Sequence, residues 1–384
     1  MRMKLTETLS IFAVCAPGIE PVLERELRQL FAESPVLASI KKEEGGISFR
    51  GNFADVQLAN LWLRTASRVL IRVASFVAGG FDQFRQKFGL VPWERYVLPE
   101  IPLQFRISSY KSQLYHTEAI AERAQESIEK RTGVPILRFH GNDEDAETPQ
   151  RIIIRFFKDR CTVSLDSSGD NLYRRGYRLA VAKAPLRETF AAAMLLASGW
   201  DGQSPFLDPF CGSGAIPIEA GLIAGNIAPG IFRKFSFENW ETFVDDDWQQ
   251  IRSAAETLRR EIVAPIAGAD RDAGAVQYSI ENAERAGLAD AVTFSCRAVT
   301  DNKRFGDSNG WIVTNPPYGT RIRHNRDLRN LFAAFGNLCR ENFSGWSCGF
   351  LCTEEELVRQ TRLKMEPKLA FSNGGISVEF FVTK

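Results

Sequence analysis

The sequence predicts an α/β chain whose second half is a doubly wound, mostly parallel sheet closed by an antiparallel C-terminal hairpin, with smaller α/β units in front. Three observations carry this. From Leu172 onward, short apolar runs alternate with amphipathic stretches of helical period, the pattern of strands joined by crossover helices. Ser204-Pro205-Phe206-Leu207 enters Asp208-Pro209-Phe210-Cys211-Gly212-Ser213-Gly214 and leaves as Ala215-Ile216-Pro217-Ile218, so a strand feeds a tight glycine turn that feeds a helix. Near the end, Asn373-Gly374-Gly375 stands between two strand-like runs, a hairpin signal foreign to an all-parallel sheet.

In chain order, residues 11–15 read as a strand, 19–31 as an amphipathic helix, 36–40 and 46–49 as a strand pair around 41–45, and 53–63 as a helix; this order is ferredoxin-like. Residues 69–77, 81–88, 103–107, 117–131 and the pair 152–157 with 161–165 continue as strand, helix, strand, helix, strand, strand. The stretch 141–150, with Asp143-Glu144-Asp145-Ala146-Glu147, reads as a solvent-facing acidic loop, and 166–171 as a flexible hinge. In the second half, parallel strands are expected at 206–207, 265–269, 292–296, 311–314 and 347–352, helices at 215–224, 246–263, 273–286 and 326–342, and hairpin strands at 368–371 and 376–382.

Composition narrows the class. With 44% hydrophobic and 25% charged residues in 384, the chain has material for two or three packed domains. Its longest apolar runs fall far short of the ~20 residues a membrane span needs, and residues 1–10 have no signal-peptide plan, so the cytoplasm is expected. Seven cysteines without framework spacing point to reduced thiols, and their separation from all three histidines, His116, His140 and His324, to no metal site. Up to Lys183 there are 27 basic and 22 acidic residues, and afterwards 21 and 25; a basic front half suits contact with phosphates.

The chemistry concentrates in two motifs. In a doubly wound sheet, ligands lie beyond the carboxyl ends of the strands, where Asp208 and Asp270 are expected. Gly212 and Gly214 let backbone approach a ligand. Asp208 suits an ammonium group and Asp270 a pair of ribose hydroxyls, while Asp272 reads as the cap of the following helix. The second motif, Asn315-Pro316-Pro317-Tyr318-Gly319, follows the buried strand signal Trp311-Ile312-Val313-Thr314. An exocyclic base amine is a poor nucleophile because its lone pair is delocalised into the ring. The Asn315 side-chain oxygen and the Pro316 carbonyl can accept its two N–H groups and aim the lone pair at an electrophilic methyl, with Tyr318 stacking on the extruded base. This pairing describes a methyl donor site facing an amine acceptor site. The motif alone leaves adenine N6, cytosine N4, guanine N2 and glutamine amides open. A cysteine nucleophile at Cys211 or Cys352 is the rival chemistry, without the sequence context that pyrimidine carbon methylation uses.

Through Tyr173-Arg174-Arg175-Gly176-Tyr177-Arg178, Ala184-Pro185-Leu186-Arg187-Glu188-Thr189, the stretch 207–240, Gly268-Ala269-Asp270-Arg271-Asp272 and Asn315 to Gly319, the chain resembles the S-adenosylmethionine-dependent RNA methyltransferases that carry an N-terminal THUMP domain, in particular the bacterial group that makes N2-methylguanosine in 23S ribosomal RNA. In the first half the likeness rests on layout and on Lys111-Ser112-Gln113-Leu114-Tyr115-His116-Thr117. The resemblance implies a ferredoxin-like domain at 1–65, a THUMP RNA-binding domain at 66–168, a linker at 169–189 and a Rossmann-like class I methyltransferase domain at 190–384. It implies Thr189, Asp208, Cys211, Gly212, Gly214, Asp270 and Asn315 as the S-adenosylmethionine set, and Asn315, Pro316 and Tyr318 as the catalytic set. Arg174, Arg175 and Arg178 are candidates for RNA phosphates. The expected carrier is ribosomal RNA, then transfer RNA, and the expected base is guanine, then adenine at N6; the rival of another class is a noncatalytic RNA-binding assembly factor. Many relatives bind the donor's adenine amine with an acidic residue after the third strand. Here Ser295-Cys296-Arg297-Ala298-Val299 stands there, leaving a backbone carbonyl or Asp301 for the task.

Overall fold

The computed structural model describes residues 7–139, 149–179, 186–317 and 325–384, with the backbone alone for 325–327. Tyr318, Gly319, His140, His324, Ala184, Pro185 and the acidic cluster 143–147 lie outside the described residues. The chain forms two compact units, Met1–Cys15 with Glu26–Leu172 and Lys234–Arg252, and Ala16–Arg25 with Tyr173–Arg233 and Ser253–Lys384.

The first unit is built on β1 (Leu9–Val14), α1 (Glu20–Leu30, whose first turns fall in the second unit), β2 (Lys41–Glu43), β3 (Gly46–Gly51), α2 (Phe53–Trp62), β4 (Arg68–Val77), α3 (Phe81–Phe88), β5 (Leu103–Tyr110), α4 (Thr117–Thr132), β6 (Gln150–Phe157) and β7 (Arg160–Asp166). Its sheet runs β2-β3-β1-β4-β7-β6-β5, antiparallel except where β5 pairs with β6. The order β2-β3-β1-β4 is ferredoxin-like. Its fourth strand lies beyond the boundary expected at 65, however, and β4 pairs with β1 on one side and β7 on the other, so that boundary is a seam inside one sheet.

Four local expectations differ from the structure; one is the helix expected at 246–263, which ends at Thr257. Residues 36–40 do not form a strand: Pro35–Ser39 is a 3₁₀ turn, capped by Ser34 Oγ accepting from Val36 N at 3.3 Å. Pro35 has no N–H for a ladder, and pairing starts only at Lys41. The hinge expected at 166–171 is pinned instead. Asp166, Ser167 and Ser168 are fully buried; Asp166 accepts from Arg68 and Arg151, Ser167 Oγ donates to Val69 O at 2.7 Å, and Ser168 Oγ to Asn60 Oδ1 at 2.6 Å. Finally, Lys234–Arg252, expected within the methyltransferase half, packs in the first unit. Ser236 Oγ and Trp240 Nε1 both donate to Gln150 Oε1, at 2.9 and 2.6 Å, and the Trp240 ring lies against Phe53 and Tyr96.

The second unit contains α5 (Glu188–Ser198), β8 (Phe206–Asp208), α6 (Ala215–Ala224), β9 (Ile266–Asp270), α8 (Ala273–Arg285), β10 (Val292–Cys296), β11 (Trp311–Thr314), α9 (Asn325–Glu341), β12 (Ser347–Cys352), α10 (Glu355–Gln360), β13 (Met365–Asn373) and β14 (Ile376–Thr383); α7 (Asp245–Thr257) bridges the division between units. The sheet order is β10-β9-β8-β11-β12-β14-β13, parallel from β10 to β12 and antiparallel at the hairpin, whose turn residues Gly374 and Gly375 take φ of +61° and +83°. The alternating pattern and the hairpin expected from sequence are therefore present. Nearly every residue of α6 is buried, which explains why, Glu219 apart, it is apolar on all sides rather than amphipathic. On the β11–β12 side, Phe332 and Phe335 of α9 pack edge-on to Phe350, with ring centroids 5.8 and 5.5 Å apart.

Candidate active site

The strand order reverses between β8 and β11. Chain progression from β8 goes outward through β9 to β10, then returns to β11 on the other side of β8. The carboxyl ends at such a switch point diverge into a crevice, and both sequence motifs end there.

On the β8 side, Asp208 closes the strand and is almost wholly buried. Its Oδ1 accepts from Phe210 N at 3.0 Å, which bends the chain into the turn. Cys211 N donates to Ala269 O at 2.9 Å, tying the turn to β9. Gly212 has φ +54° with open space where a Cβ would stand, and its N–H donates to Asp270 Oδ2 at 3.0 Å. Gly214, at φ +87°, caps α6, and a Cβ there would come within 3.1 Å of Ser279. Its glycine thus answers to helix packing and a left-handed backbone, whereas Gly212 presents backbone to the open side. Helix α8 braces the turn: Ser279 Oγ donates to Gly212 O at 2.8 Å and Asn282 Nδ2 to Ser213 O at 3.0 Å. Neither contact was signalled by sequence, because both residues read only as positions on a helix.

At the end of β9, Asp270 accepts one backbone N–H on each oxygen, Gly212 N on Oδ2 and Asp272 N on Oδ1 at 3.0 Å. These bonds orient the carboxylate and leave a lone pair on each oxygen for a second donor, which suits two neighbouring hydroxyls. Asp272 caps α8, accepting from Gly274 N and Ala275 N at 2.9 and 3.2 Å.

On the β11 side, Thr314 is fully buried and its Oγ1 donates to Asp208 Oδ1 at 2.5 Å. One hydrogen bond therefore couples the last residue of the second strand to the last residue of the first. Asn315 follows directly, and its Oδ1 is buried without a hydrogen-bond partner among the described residues. Leaving a buried amide oxygen unpaired costs about 1–3 kcal/mol, a cost that a ligand N–H removes. Pro316 is buried beside it and Pro317 half-buried.

Burial lifts the Asp208 carboxyl to about 7, with the Thr314 hydroxyl and the Phe210 N–H pulling it down and the Asp270 charge adding to the lift. A desolvated carboxylate beside a second one is poised for a cation. Burial, with the charges of Asp208 and Asp270, drives the Cys211 thiol well above its usual range, and burial also raises Cys352. Neither is a ready thiolate. All seven cysteines are free, with Cys296 exposed and the others buried. No group of three or more His, Cys, Asp or Glu side chains among the described residues could hold a metal ion.

Three expected RNA contacts separate here. Arg175 is buried, and Glu219 accepts from its Nε at 3.2 Å and from the Tyr177 hydroxyl at 3.0 Å. Arg178 is also internal. It pairs with Glu188 at 3.1 Å and donates to Leu186 O at 2.6 Å and to Ser213 Oγ at 3.3 Å, linking the start of α5 to the glycine turn. Burial and pairing remove both from any phosphate, and Arg174 alone of the three is exposed. Thr189 is buried in the first turn of α5, where Arg187 is the N-cap residue; the Arg178 links hold that turn near Ser213. After β10, Arg297 N donates to Asp270 O at 2.9 Å, and Asn302 Nδ2 donates to Ala298 O and Val299 O at 3.2 and 3.0 Å.

The chain is similar to known proteins along nearly its whole length. The RMKL-like methyltransferase domain matches residues 175–379, and the RlmL ferredoxin-like domain matches residues 10–70. A Bacillus subtilis (strain 168) protein provisionally named RNA methyltransferase YpsC is 33% identical over 97% of this chain and 95% of its own length. The ribosomal RNA large subunit methyltransferase K/L of Syntrophotalea carbinolica is 33% identical over 96% of this chain but 52% of its own length; the chain spans about half the length of the K/L relatives it matches. A crystal structure of SMU.472, provisionally named a methyltransferase and complexed with S-adenosylhomocysteine (SAH), is 30% identical, covers 100% of this chain and 98% of its own, and has a TM-score of 0.85.

Proposed function

We propose, since this chain belongs to the RMKL-like methyltransferase family, that it methylates the exocyclic N2 amine of a guanosine in RNA, with large-subunit ribosomal RNA as the carrier. The chain is an S-adenosylmethionine-dependent methyltransferase. Methylated guanine and a ribosomal carrier are our reading, supported by the K/L relatives, while the Asn315 motif supports an amine acceptor. The division into a ferredoxin-like part that includes β4, a THUMP part over the rest of that sheet to 168, and a catalytic unit is likewise our reading. No helix among the described residues is long and apolar enough to cross a membrane, and we place the enzyme in the cytoplasm.

The observation that carries the reading is the buried Asn315 Oδ1, without a partner among the described residues and one residue beyond the Thr314 hydroxyl that bonds Asp208. The residues fit the donor. Asp270 offers both oxygens to ribose hydroxyls, Gly212 offers approachable backbone, and the desolvated Asp208 gains from a cationic neighbour, directly or through water. Bound S-adenosylmethionine supplies a methyl group on a positively charged sulfur. Asn315 Oδ1 accepts one N–H of the amine and the Pro316 carbonyl the other, which turns the nitrogen lone pair toward that methyl; Tyr318 stacks on the base. Positioning supplies most of the rate, and no strong general base is needed. The amine N–H becomes acidic as the nitrogen is alkylated, and its proton passes by way of Asn315 to water.

Purified protein, methyl-labelled S-adenosylmethionine and RNA from a strain lacking the enzyme test the reading. Labelled N2-methylguanosine in large-subunit RNA is the expected product. Label in transfer RNA would move the carrier, N6-methyladenosine would move the base, and an unlabelled pool would sink the proposal. Asn315→Ala is expected to abolish transfer while sparing donor binding; transfer at the parent rate would remove Asn315 from its role.

A further inference from the structure

Where β5, β6 and β7 reach Tyr110, Phe157 and Arg160, the sheet of the first unit has one face packed and the other exposed, although the same face is buried further along at Arg151, Ser164 and Asp166. Phe156 and Cys161 are buried on the inner face, where Phe156 meets Phe84 of α3 with centroids 5.9 Å apart. Alternation along the strands puts Arg155 and Phe157 of β6 and Arg160 of β7 on the other face, all exposed, with Tyr110 of β5 directly opposite Phe157 in the parallel register. Tyr110 is 57% exposed and Phe157 47%, yet their rings stack at 5.8 Å with an interplanar angle of 10°. A cation sits over each, Lys111 Nζ 5.2 Å from the Tyr110 centroid and Lys158 Nζ 5.5 Å from that of Phe157.

The backbone holds this arrangement in place. Lys111, Lys158 and Asp159 have φ of +49°, +49° and +60°, conformations that non-glycine residues adopt at a cost. Asp159 stabilises them: its Oδ1 accepts from Gln113 N at 2.7 Å, its N–H donates to Ser112 Oγ at 2.9 Å, and its carbonyl accepts from Ala78 N at 2.9 Å. The acidic side chain beside the rings is thus engaged in the turn. Flat, exposed rings bordered by Lys111, Lys158, Arg155 and Arg160 match the chemistry of unpaired nucleotides, whose bases stack and whose phosphates carry the opposite charge.

We propose that this open face, centred on Tyr110 and Phe157, is the platform on which an unpaired segment of the substrate RNA stacks. The inference deepens the proposed function and rests on it for the identity of the nucleic acid.

The test is fluorescence anisotropy of the full chain with a labelled, single-stranded RNA oligonucleotide of mixed sequence, and with a blunt duplex as control. Tyr110→Ala and Phe157→Ala are each expected to weaken single-strand binding about tenfold, the scale of one lost base–aromatic stack, with little change on the duplex. Tyr110→Phe should bind as the parent does. Lys158→Gln should lower the salt dependence of binding. Unchanged affinity in both alanine variants, or equal losses on single strand and duplex, would overturn the platform. A shift in unfolding midpoint would expose a folding defect, and then binding lost in Tyr110→Phe as well would count against stacking. Because binding is read without catalysis, a parent that binds through these rings but transfers no methyl would refute the enzymatic reading and leave the platform standing. A methylating parent indifferent to ring removal would do the reverse.

Discussion

Replacing Asp208 with Asn tests whether a desolvated carboxylate lies at the centre of the donor site. The amide keeps Oδ1 for Thr314 and Phe210 and removes the charge. In the folded parent the carboxyl sits at about 7 against an ordinary 3.8, so the folded state holds a proton that the unfolded chain has already released between these values. Wherever the folded state binds more protons, stability falls as pH rises. Asp208 therefore lowers the parent's stability progressively from about pH 4 to about pH 7, and the loss then levels off. A shift of about three units at about 1.4 kcal/mol each gives a ceiling of roughly 4 kcal/mol. Urea unfolding of both proteins from pH 4 to pH 8 should show near-equal stability at the acid end and Asp208→Asn increasingly the more stable toward pH 8. Adding S-adenosylmethionine should narrow that gap, since a cation beside the carboxylate stabilises the parent more. A stability difference flat across this range, or a variant less stable than the parent at pH 8, would refute the buried-charge reasoning.

Asp270→Ala removes the acceptor we propose for two hydroxyls, together with the carboxylate that takes the Gly212 and Asp272 N–H groups; donor affinity measured by calorimetry should fall at least about tenfold, in line with a lost charged hydrogen bond, and parental affinity would dismiss the ribose role. Cys211→Ser should retain methyl transfer, because the buried thiol is protonated at working pH; loss of labelling with donor binding intact would restore a nucleophilic thiol. Glu219→Gln removes the carboxylate charge that faces the buried Arg175 and is expected to cost up to about 3–5 kcal/mol in denaturant unfolding. A variant as stable as the parent, but weaker on RNA, would return Arg175 to the phosphate contacts.

Much of the catalytic unit is legible in the sequence because its determinants are local. Helix α6 begins and ends where its apolar run does, β11 and β12 are continuous buried runs, and Asn373-Gly374-Gly375 marks the hairpin by turn chemistry alone. Short-range reading failed where a residue's partner lies far along the chain. Ser167 and Ser168 look like hinge residues until Asn60 and Val69, about a hundred positions earlier, bury and bond them. Trp240 looks like part of the catalytic half until Gln150 takes its N–H.

The sequence by itself determined the two-motif chemistry, since a glycine turn after an apolar strand and an Asn-Pro-Pro-Tyr strand end each follow from residue type and spacing. Only the tertiary structure decided that the two motifs meet: reversal of strand order at β8 sets β11 beside it, and the Thr314 hydroxyl then reaches Asp208. It also decided which arginines are internal, because charge shows in a sequence and the carboxylate that buries it does not. Arg175 and Arg178 read like Arg174 along the chain, yet Glu219 and Glu188 draw them inside. Burial in three dimensions, which no local pattern encodes, is what separates a structural cation from one that can meet a phosphate.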